Sequence, residues 1–586
     1  MGCCRRAMDA PCGDNPAAAS TSTMSTSDLR LRFQFRPKLL ETIPGYSRPT
    51  FFADLAAGLT VGVVALPLAM ALAIASGLKP EVGIYTAIVG GLLISLLGGS
   101  RVQIGGPAGA FVPLLAPIVA VHGPQGLVAC ALIAGVILIA LGVTRMGSMI
   151  RFIPYPVVIG FTSGIAVIIL STQLRDFFGL SATLPADFIG KLIALATDFH
   201  PNWATVAMAS VGVAMIWFWP ASWARRVPAS IAVILLGGVV TAVFQLGERW
   251  DIATLGSQFG AMPRGLPAPH APMLSWETWQ ALLPAGMTVA VLGAIESLLC
   301  AVVADGMIDD RHDSNQELVG QGIANIACAF FGGMPATGVI ARTATNVRSG
   351  ARTPVAGIIH AATLLLVLLL AAPLASHIPL AALSAVLVVV ALRMGEWHHF
   401  RRLSRWPKSD VAVFLTAFIL TVVTELPVAV GASLVLASAL LVKRLSETTS
   451  VSADEEVTQA NAPGQTATGR EVPKGVMVFR VFGAFFFGAA DKLETSLRRA
   501  GQLPEVLILR MRDVLALDAT GLDALEDLYE KLRRNGKHLI LCGPHSQPMI
   551  ALTRAGFIDR IGLDNVCGDM EGSLARAREL LQSRKA

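Results

Sequence analysis

The sequence predicts a polytopic α-helical membrane protein that ends in a soluble α/β domain. Three observations carry the prediction. The chain of 586 residues is 54% hydrophobic and only 15% charged, against about 25% charged residues in a soluble globular protein. Aliphatic runs near the roughly twenty residues that cross a bilayer recur from residue 54 to residue 445. Beyond residue 445 the composition turns charged and the apolar runs become short. The pattern disfavours a soluble enzyme, a nucleic-acid binder and a secreted disulfide scaffold, and makes the lipid bilayer the first partner.

Residues 1–50 are polar, lack the apolar stretch of a cleavable signal peptide, and read as a partly disordered N-terminal cytoplasmic segment. Met24 competes with Met1 as the start. The eight cysteines show no metal-ligand spacing, and no metal or cofactor is expected.

Apolar stretches broken by Pro, Gly or charge divide residues 51–445, the expected transmembrane domain, into fourteen segments. They lie near 54–75, 81–98, 107–121, 125–143, 154–171, 202–219, 228–246, 281–303, 316–331, 336–347, 354–372, 379–392, 409–424 and 427–443. Those at 107 and 336 are short for a full crossing. An even number places both termini on one side. With that side cytoplasmic, the inward loops hold fifteen Lys and Arg and the outward loops five, the asymmetry of the positive-inside rule.

The chain also repeats itself. Residues 57–73 (AGLTVGVVALPLAMALA) match 285–301 (AGMTVAVLGAIESLLCA) at an offset of 228, and the same offset carries Gly105, Pro107 and Ala108 onto Gly333, Pro335 and Ala336. Seven segments fall in each half, and an odd number inverts the second half relative to the first. In such transporters substrate binds near the bilayer midplane between half-helices. The Gly/Pro-interrupted stretches 105–113 and 333–346 point to that site, where two helix N-termini would attract an anion.

Charges inside the segments are few. Arg342 and Glu296 each cost about 2.5–3.5 kcal/mol at mid-bilayer, so each needs a use or a partner. Two readings are open: a counter-charge for an anion with a proton or cation site, or a structural ion pair. Thr337, Thr343, Thr345 and Asn346 offer donors, although a helical Thr also bonds back to its own backbone. Asp305, Asp309, Asp310 and Asp313 read as a solvated loop, and His377, His398 and His399 lack ligand spacing.

ADLAAGLTVGVVALPLAMALA, GSRVQIGGPAGAF, SNQELVGQGIAN and GGMPATGVIARTATNVRSGARTPVAG together resemble the sulfate permease (SulP) anion-transporter family, in order over residues 50–582, with most likeness to its bacterial dicarboxylic acid transporter branch. The resemblance implies a seven-plus-seven inverted repeat of core and gate domains, an anion site between the third and tenth spans, and homodimers. Carried over by motif, the site would use the backbone of Gly109, Ala110, Phe111, Gly338, Val339 and Ile340, with Arg342 behind it. Glu296 matches the acidic residue that holds sodium in bicarbonate-transporting relatives. Cys300 stands where those relatives have a hydroxyl, and Leu68 follows Pro67 where many have Glu or Gln. Both departures favour a proton over sodium at Glu296.

Residues 446–471 read as a polar linker. In 472–586, apolar runs at VMVFRVFGAFFF, EVLILRM and KHLILCG alternate with an amphipathic stretch after Asp518, giving a small α/β domain. It resembles the STAS domain that ends SulP proteins, with Thr520 as a helix cap or, by that resemblance, a phosphorylation site, and with a protein partner possible. The expected function is secondary active anion transport across the cell inner membrane, with both termini cytoplasmic. The expected cargo is a C4-dicarboxylate or sulfate with a co-transported proton, then bicarbonate. A passive anion channel and a membrane-anchored STAS sensor are the rivals. No catalytic residue and no nucleic-acid partner is expected.

Overall fold

A computed structural model describes residues 35–148, 154–180, 185, 188–197, 199–224, 228–270, 275–424, 426–453, 472–485, 492, 495 and 504–583. Most of the N-terminal segment, including Met24, therefore lies outside the described residues.

Each of the fourteen predicted segments falls on a helix. The first two are α1 (Arg48–Ala75) and α2 (Pro80–Leu97). After the two-residue strand β1 (Gly105–Gly106), segments three and four share α3 (Val112–Val143). Gly123 interrupts α3 with φ 64° and ψ −168°, a conformation open to glycine, and Pro124 follows it. Then come α4 (Tyr155–Phe178), the unpredicted α5 (Phe188–Thr197), α6 (Trp203–Trp217) and α7 (Ala229–Phe244). The second half holds α8 (Trp276–Ile308), α9 (Ser314–Phe330), β2 (Thr337–Gly338), α10 (Ile340–Arg348) and α11 (Val355–Ala375). It closes with α12 (Leu380–Met394), the short α13 (Trp397–Phe400), α14 (Lys408–Val423) and α15 (Leu426–Thr448). Among the described residues, α1, α2, α3, α4, α8 and α11 are long and apolar enough to cross a membrane. The nine residues of α10 span about 14 Å, less than half a bilayer.

Two compact units interleave along the chain: Met1–Arg151 with Phe218–Leu383, and Phe152–Trp217 with Ser384–Ala586. In the first, the repeats exchange partners. Gly58 on α1 lies against α11, where an added Cβ would come within 2.5 Å of the Ala356 carbonyl oxygen. Its repeat mate Gly286 on α8 lies against α3, where a Cβ would stand 2.6 Å from the Ile133 Cβ. Small residues allow such approach between membrane helices, whose association rests on packing contacts. In the second unit Gly160 and Gly164 bring α4 against Phe414 and Thr421 of α14 in the same way.

The tail is a five-stranded sheet in the order β3-β4-β5-β6-β7, with β3 (Ser450–Ala453), β4 (Val476–Phe485), β5 (Val506–Leu517), β6 (His538–Cys542) and β7 (Val566–Cys567). Strands β4 to β7 run parallel, and β3 pairs antiparallel with β4. Alternate residues of β5 serve two layers, as a period of two requires. Leu507, Leu509 and Met511 pack with Leu525, Leu528 and Leu532 of α16 (Ala519–Arg534), while Val506 and Ile508 pack with Leu574 and Ala577 of α18 (Met570–Ser583); α17 (Ser546–Arg554) joins the first layer through Leu552.

Two expectations are corrected here. The linker 446–471 is not wholly irregular, because α15 continues to Thr448 and Ser450–Ala453 is the antiparallel edge strand of the tail sheet. Residues 454–471 lie outside the described residues. Asp518, not Thr520, caps α16: its carboxylate accepts from the Gly521 N–H at 2.7 Å, satisfying one of the orphan donors of the first turn.

Candidate functional site

The two Gly/Pro-interrupted stretches meet. Gly105 pairs with Gly338 and Gly106 with Thr337 in an antiparallel ladder, so each repeat hands its short strand to the other. Helix α3 starts at Val112 and α10 at Ile340, the same 228-residue offset read from the sequence. A one-turn 3-10 segment, Gly109–Phe111, precedes α3. Ala110 and Phe111 are buried, and the Phe111 ring edge lies 3.3 Å from where a Cβ on Gly293 of α8 would be. Gly338 is closed in by Gln103, whose Nε2 would overlap a Cβ there, while the Ile340 side chain is exposed.

Not every expected backbone donor is free. The Val339 N–H donates to the Ile104 carbonyl at 2.9 Å and the Phe111 N–H to the Ala108 carbonyl at 3.2 Å. These two positions shape the helix openings and have their own N–H groups already engaged.

Arg342 stands two residues into α10 with 1% of its surface exposed. None of its three guanidinium nitrogens has a protein hydrogen-bond partner. The ion pair with Glu296 is not formed, and neither is a bond to backbone carbonyls. A buried charge left alone costs about 3–5 kcal/mol, so this side chain is poised for an anion or for water. Other enclosed polar atoms of the same unit also lack a protein partner: Gln103 Oε1, Gln321 Oε1, Asn346 Oδ1 and Ser95 Oγ. His360 of α11 is fully buried, and its ring faces the Val61 backbone without meeting hydrogen-bond geometry.

Glu296 is half-buried on α8, and its Oε2 is enclosed without a partner. One turn on, Cys300 donates its thiol to Thr343 Oγ1 at 3.2 Å, and Thr343 Oγ1 also accepts the Ile104 N–H at 3.0 Å. Cys300 therefore ties α8 to α10. Thr337 donates to the Gly293 carbonyl at 2.9 Å and Asn346 to the Val102 carbonyl at 2.9 Å. Thr345 bonds back to Ala341, the local role sequence reasoning left open.

Sequence reasoning missed two highly connected carboxylates. Glu317 of α9, 1% exposed, accepts from the Gly99 N–H at 2.9 Å, the Ser100 N–H at 3.2 Å, Gln103 Nε2 at 2.9 Å and the Ser297 hydroxyl at 3.0 Å. It fixes the approach to β1 against α8 at Ser297, the residue after Glu296. The signal was present: Glu317, Gln321 and Asn325 recur every fourth residue on one helix face, and all are buried. Asp54 of α1 was also missed. It accepts from the Arg352 N–H at 2.7 Å and the Thr353 N–H at 3.1 Å, holding the turn after α10. Burial, and then Asp54, pushes the neighbouring Tyr46 hydroxyl above its ordinary pKa.

Of the acidic residues read as a solvated loop, Asp305 lies in the last turn of α8 and accepts from His312, Asp310 faces Lys38 and Arg101, and Asp313 caps α9. In the second unit His398 and His399, read as lacking ligand spacing, gather with Glu396. A cavity of about 450 Å³ in the first unit is lined by apolar side chains such as Val63, Met70, Leu235 and Val367, and neither Arg342 nor Glu296 lines it.

Comparison with known proteins places these features in context. Residues 51–417 match the sulfate permease family and residues 469–570 the STAS domain. The chain is 40% identical over 521 residues to the "Putative sulfate transporter YvdB" of Bacillus subtilis (strain 168), covering 88% of this chain and 96% of that one. It is 32% identical over 511 residues to the bicarbonate transporter BicA of Synechocystis sp. (strain ATCC 27184 / PCC 6803 / Kazusa), covering 84% and 88%. The fold superimposes on the murine Slc26a9 anion transporter in the inward-facing state with a TM-score of 0.82 at 19% identity, covering 96% and 97%.

Proposed function

The chain belongs to the sulfate permease family, and from that premise we propose that it takes up a small oxyanion by secondary active transport coupled to protons. It is a multi-pass membrane anion transporter, not an enzyme. In the proposed reading it lies in the cell inner membrane with both termini cytoplasmic, and it works as a homodimer. Its cargo is sulfate or a C4-dicarboxylate such as succinate. The similarity to a sulfate transporter supports sulfate, and the dicarboxylate reading rests on the likeness of the first-span and eighth-span motifs. The observation that carries the proposal is the buried guanidinium of Arg342, which has no protein partner.

Arg342 supplies the Coulomb term for a bound anion, and the backbone of Gly109, Ala110, Gly338 and Ile340 lines the helix openings beside it. Phe111 and Val339 hold those openings in shape. A cell interior negative by 100 mV opposes a dianion by about 4.6 kcal/mol, so uphill uptake needs a co-transported cation. Glu296 is the proposed proton carrier. An anion in the site raises the proton affinity of a nearby carboxylate, and by linkage the proton raises the affinity for the anion. The engaged thiol of Cys300, a poor ligand for a hard cation, supports a proton over sodium. The STAS domain is the proposed docking point for a protein partner and not part of the pore.

Bicarbonate is the second reading, supported by 32% identity to a bicarbonate transporter and by a site with one fixed cation. Uptake of labelled sulfate, succinate and bicarbonate into proteoliposomes, with and without an inward proton gradient, tests the proposal. Gradient-stimulated accumulation of sulfate or succinate is expected. Flux of every anion down its gradient without accumulation would leave a passive channel, and absence of flux would leave a STAS sensor.

A further inference from the structure

We propose that Glu396, His398 and His399 form a binding site for a transition-metal ion, of which Zn²⁺ is the fitting case. The three residues come from one short stretch, GEWHHF, between α12 and α14 in the second unit. One ligand atom from each lies within 4.8 Å of the others. Glu396 Oε2 stands 3.4 Å from His398 Nδ1 and 3.8 Å from His399 Nε2. Around a tetrahedral zinc with bonds of about 2.0–2.1 Å, donor atoms sit about 3.3 Å apart, so the two Glu396–histidine separations need to close by at most about half an ångström, and a rotation of the exposed His398 side chain sets the third.

The local fold prepares this geometry. Glu396 precedes the first residue of α13, which places His399 three residues on and on the same side. The His398 and His399 rings lie with centroids 3.9 Å apart. His399 is 9% exposed, and its Nδ1 has no hydrogen-bond partner. Glu396 and His398 are open to solvent, with side-chain exposures of 44% and 58%, which leaves room for water at the remaining coordination positions. The Tyr155 hydroxyl, 3.4 Å from His399 Nε2, brings the start of α4 to the cluster, so a bound ion would stiffen the junction between α4 and the α12–α14 connection.

The chemistry also selects the ion. Arg401 and Arg402 follow directly in the chain, so a divalent ion binds against their charge. Affinity then rests on imidazole nitrogen, which suits Zn²⁺, Ni²⁺ or Cu²⁺ and not the oxygen-seeking Mg²⁺ or Ca²⁺.

The test uses the full-length protein, purified, freed of any affinity tag and stripped with chelator. Titration with Zn²⁺, and with Co²⁺ as a spectroscopic substitute, is expected to give one equivalent per chain with a visible Co²⁺ absorption band and a rise in thermal stability. H398A, H399A and E396Q should each weaken binding at least tenfold and remove the thermal shift. Excess Mg²⁺ or Ca²⁺ should not compete. Because H399A disturbs a buried side chain, the exposed H398A serves as the decisive variant. Absence of stoichiometric binding, or zinc binding unaltered by H398A, would overturn the proposal.

Discussion

The Arg342 guanidinium lies against the backbone of Gly106, so closely that a Cβ on that glycine would stand 2.4 Å from Arg342 Nη1. Gly106 belongs to the first repeat and Arg342 to the second, and the β1–β2 ladder holds them in register. One repeat thus provides the floor on which the charge of the other rests.

Gly106→Ala is therefore expected to displace Arg342 while leaving the helices in place. The glycine also has a φ of 154°, which side-chain-bearing residues seldom adopt. Equilibrium binding of labelled anion to the monodisperse variant should be at least tenfold weaker than wild type. Unchanged affinity would mean that Arg342 can hold its position without this contact.

Glu317→Gln should lower stability. The amide has one acceptor oxygen where the carboxylate has two, so its NH₂ would face one of the two donor pairs, Gly99 with Ser100 or Gln103 with Ser297. Losing charge-assisted bonds at a buried site costs about 2 kcal/mol or more. Thermal unfolding in detergent should show a lower midpoint. A midpoint equal to wild type would contradict the role of the carboxylate as a hub.

Glu296→Gln mimics the protonated acid. It is expected to bind substrate and support exchange while losing proton-driven accumulation, and the rise of wild-type uptake as external pH falls should vanish. Accumulation at the wild-type level would exclude Glu296 as the coupling group, and dependence on sodium would return it to a metal-binding role.

In the tail, Asp518→Ala should cost about 1 kcal/mol through loss of a helix cap, whereas Thr520→Ala should leave stability nearly unchanged. Chemical denaturation followed by the tail's own helical signal distinguishes them. Equal losses would restore Thr520 to the capping role.

How much of this was legible in the sequence depends on the kind of physics involved. Apolar runs and their breaks placed each of the fourteen segments on a helix, with the third and fourth sharing α3, because span length is set by the bilayer and not by tertiary detail. The 228-residue offset also anticipated the starts of α3 and α10. Hydrogen-bond partners were not legible. That Val339 donates to Ile104 follows from a ladder between segments more than 200 residues apart, and the donors to Glu317 on Gly99, Ser100, Gln103 and Ser297 are likewise distant from it in the chain. The strand at Ser450–Ala453 was hidden in a polar stretch because it is a short edge strand, whose ladder partner alone reveals it. Likewise, only folding brings Glu396 beside His398 and His399.

The most direct test of the account is the anion affinity of Arg342 variants in purified, folded protein. Arg342→Ala should weaken binding at least tenfold, about 1.4 kcal/mol. Arg342→Lys should recover part of the loss, since a point charge keeps the Coulomb attraction but not the planar fork. A folded Arg342→Ala protein that binds sulfate or succinate as tightly as wild type would contradict the account.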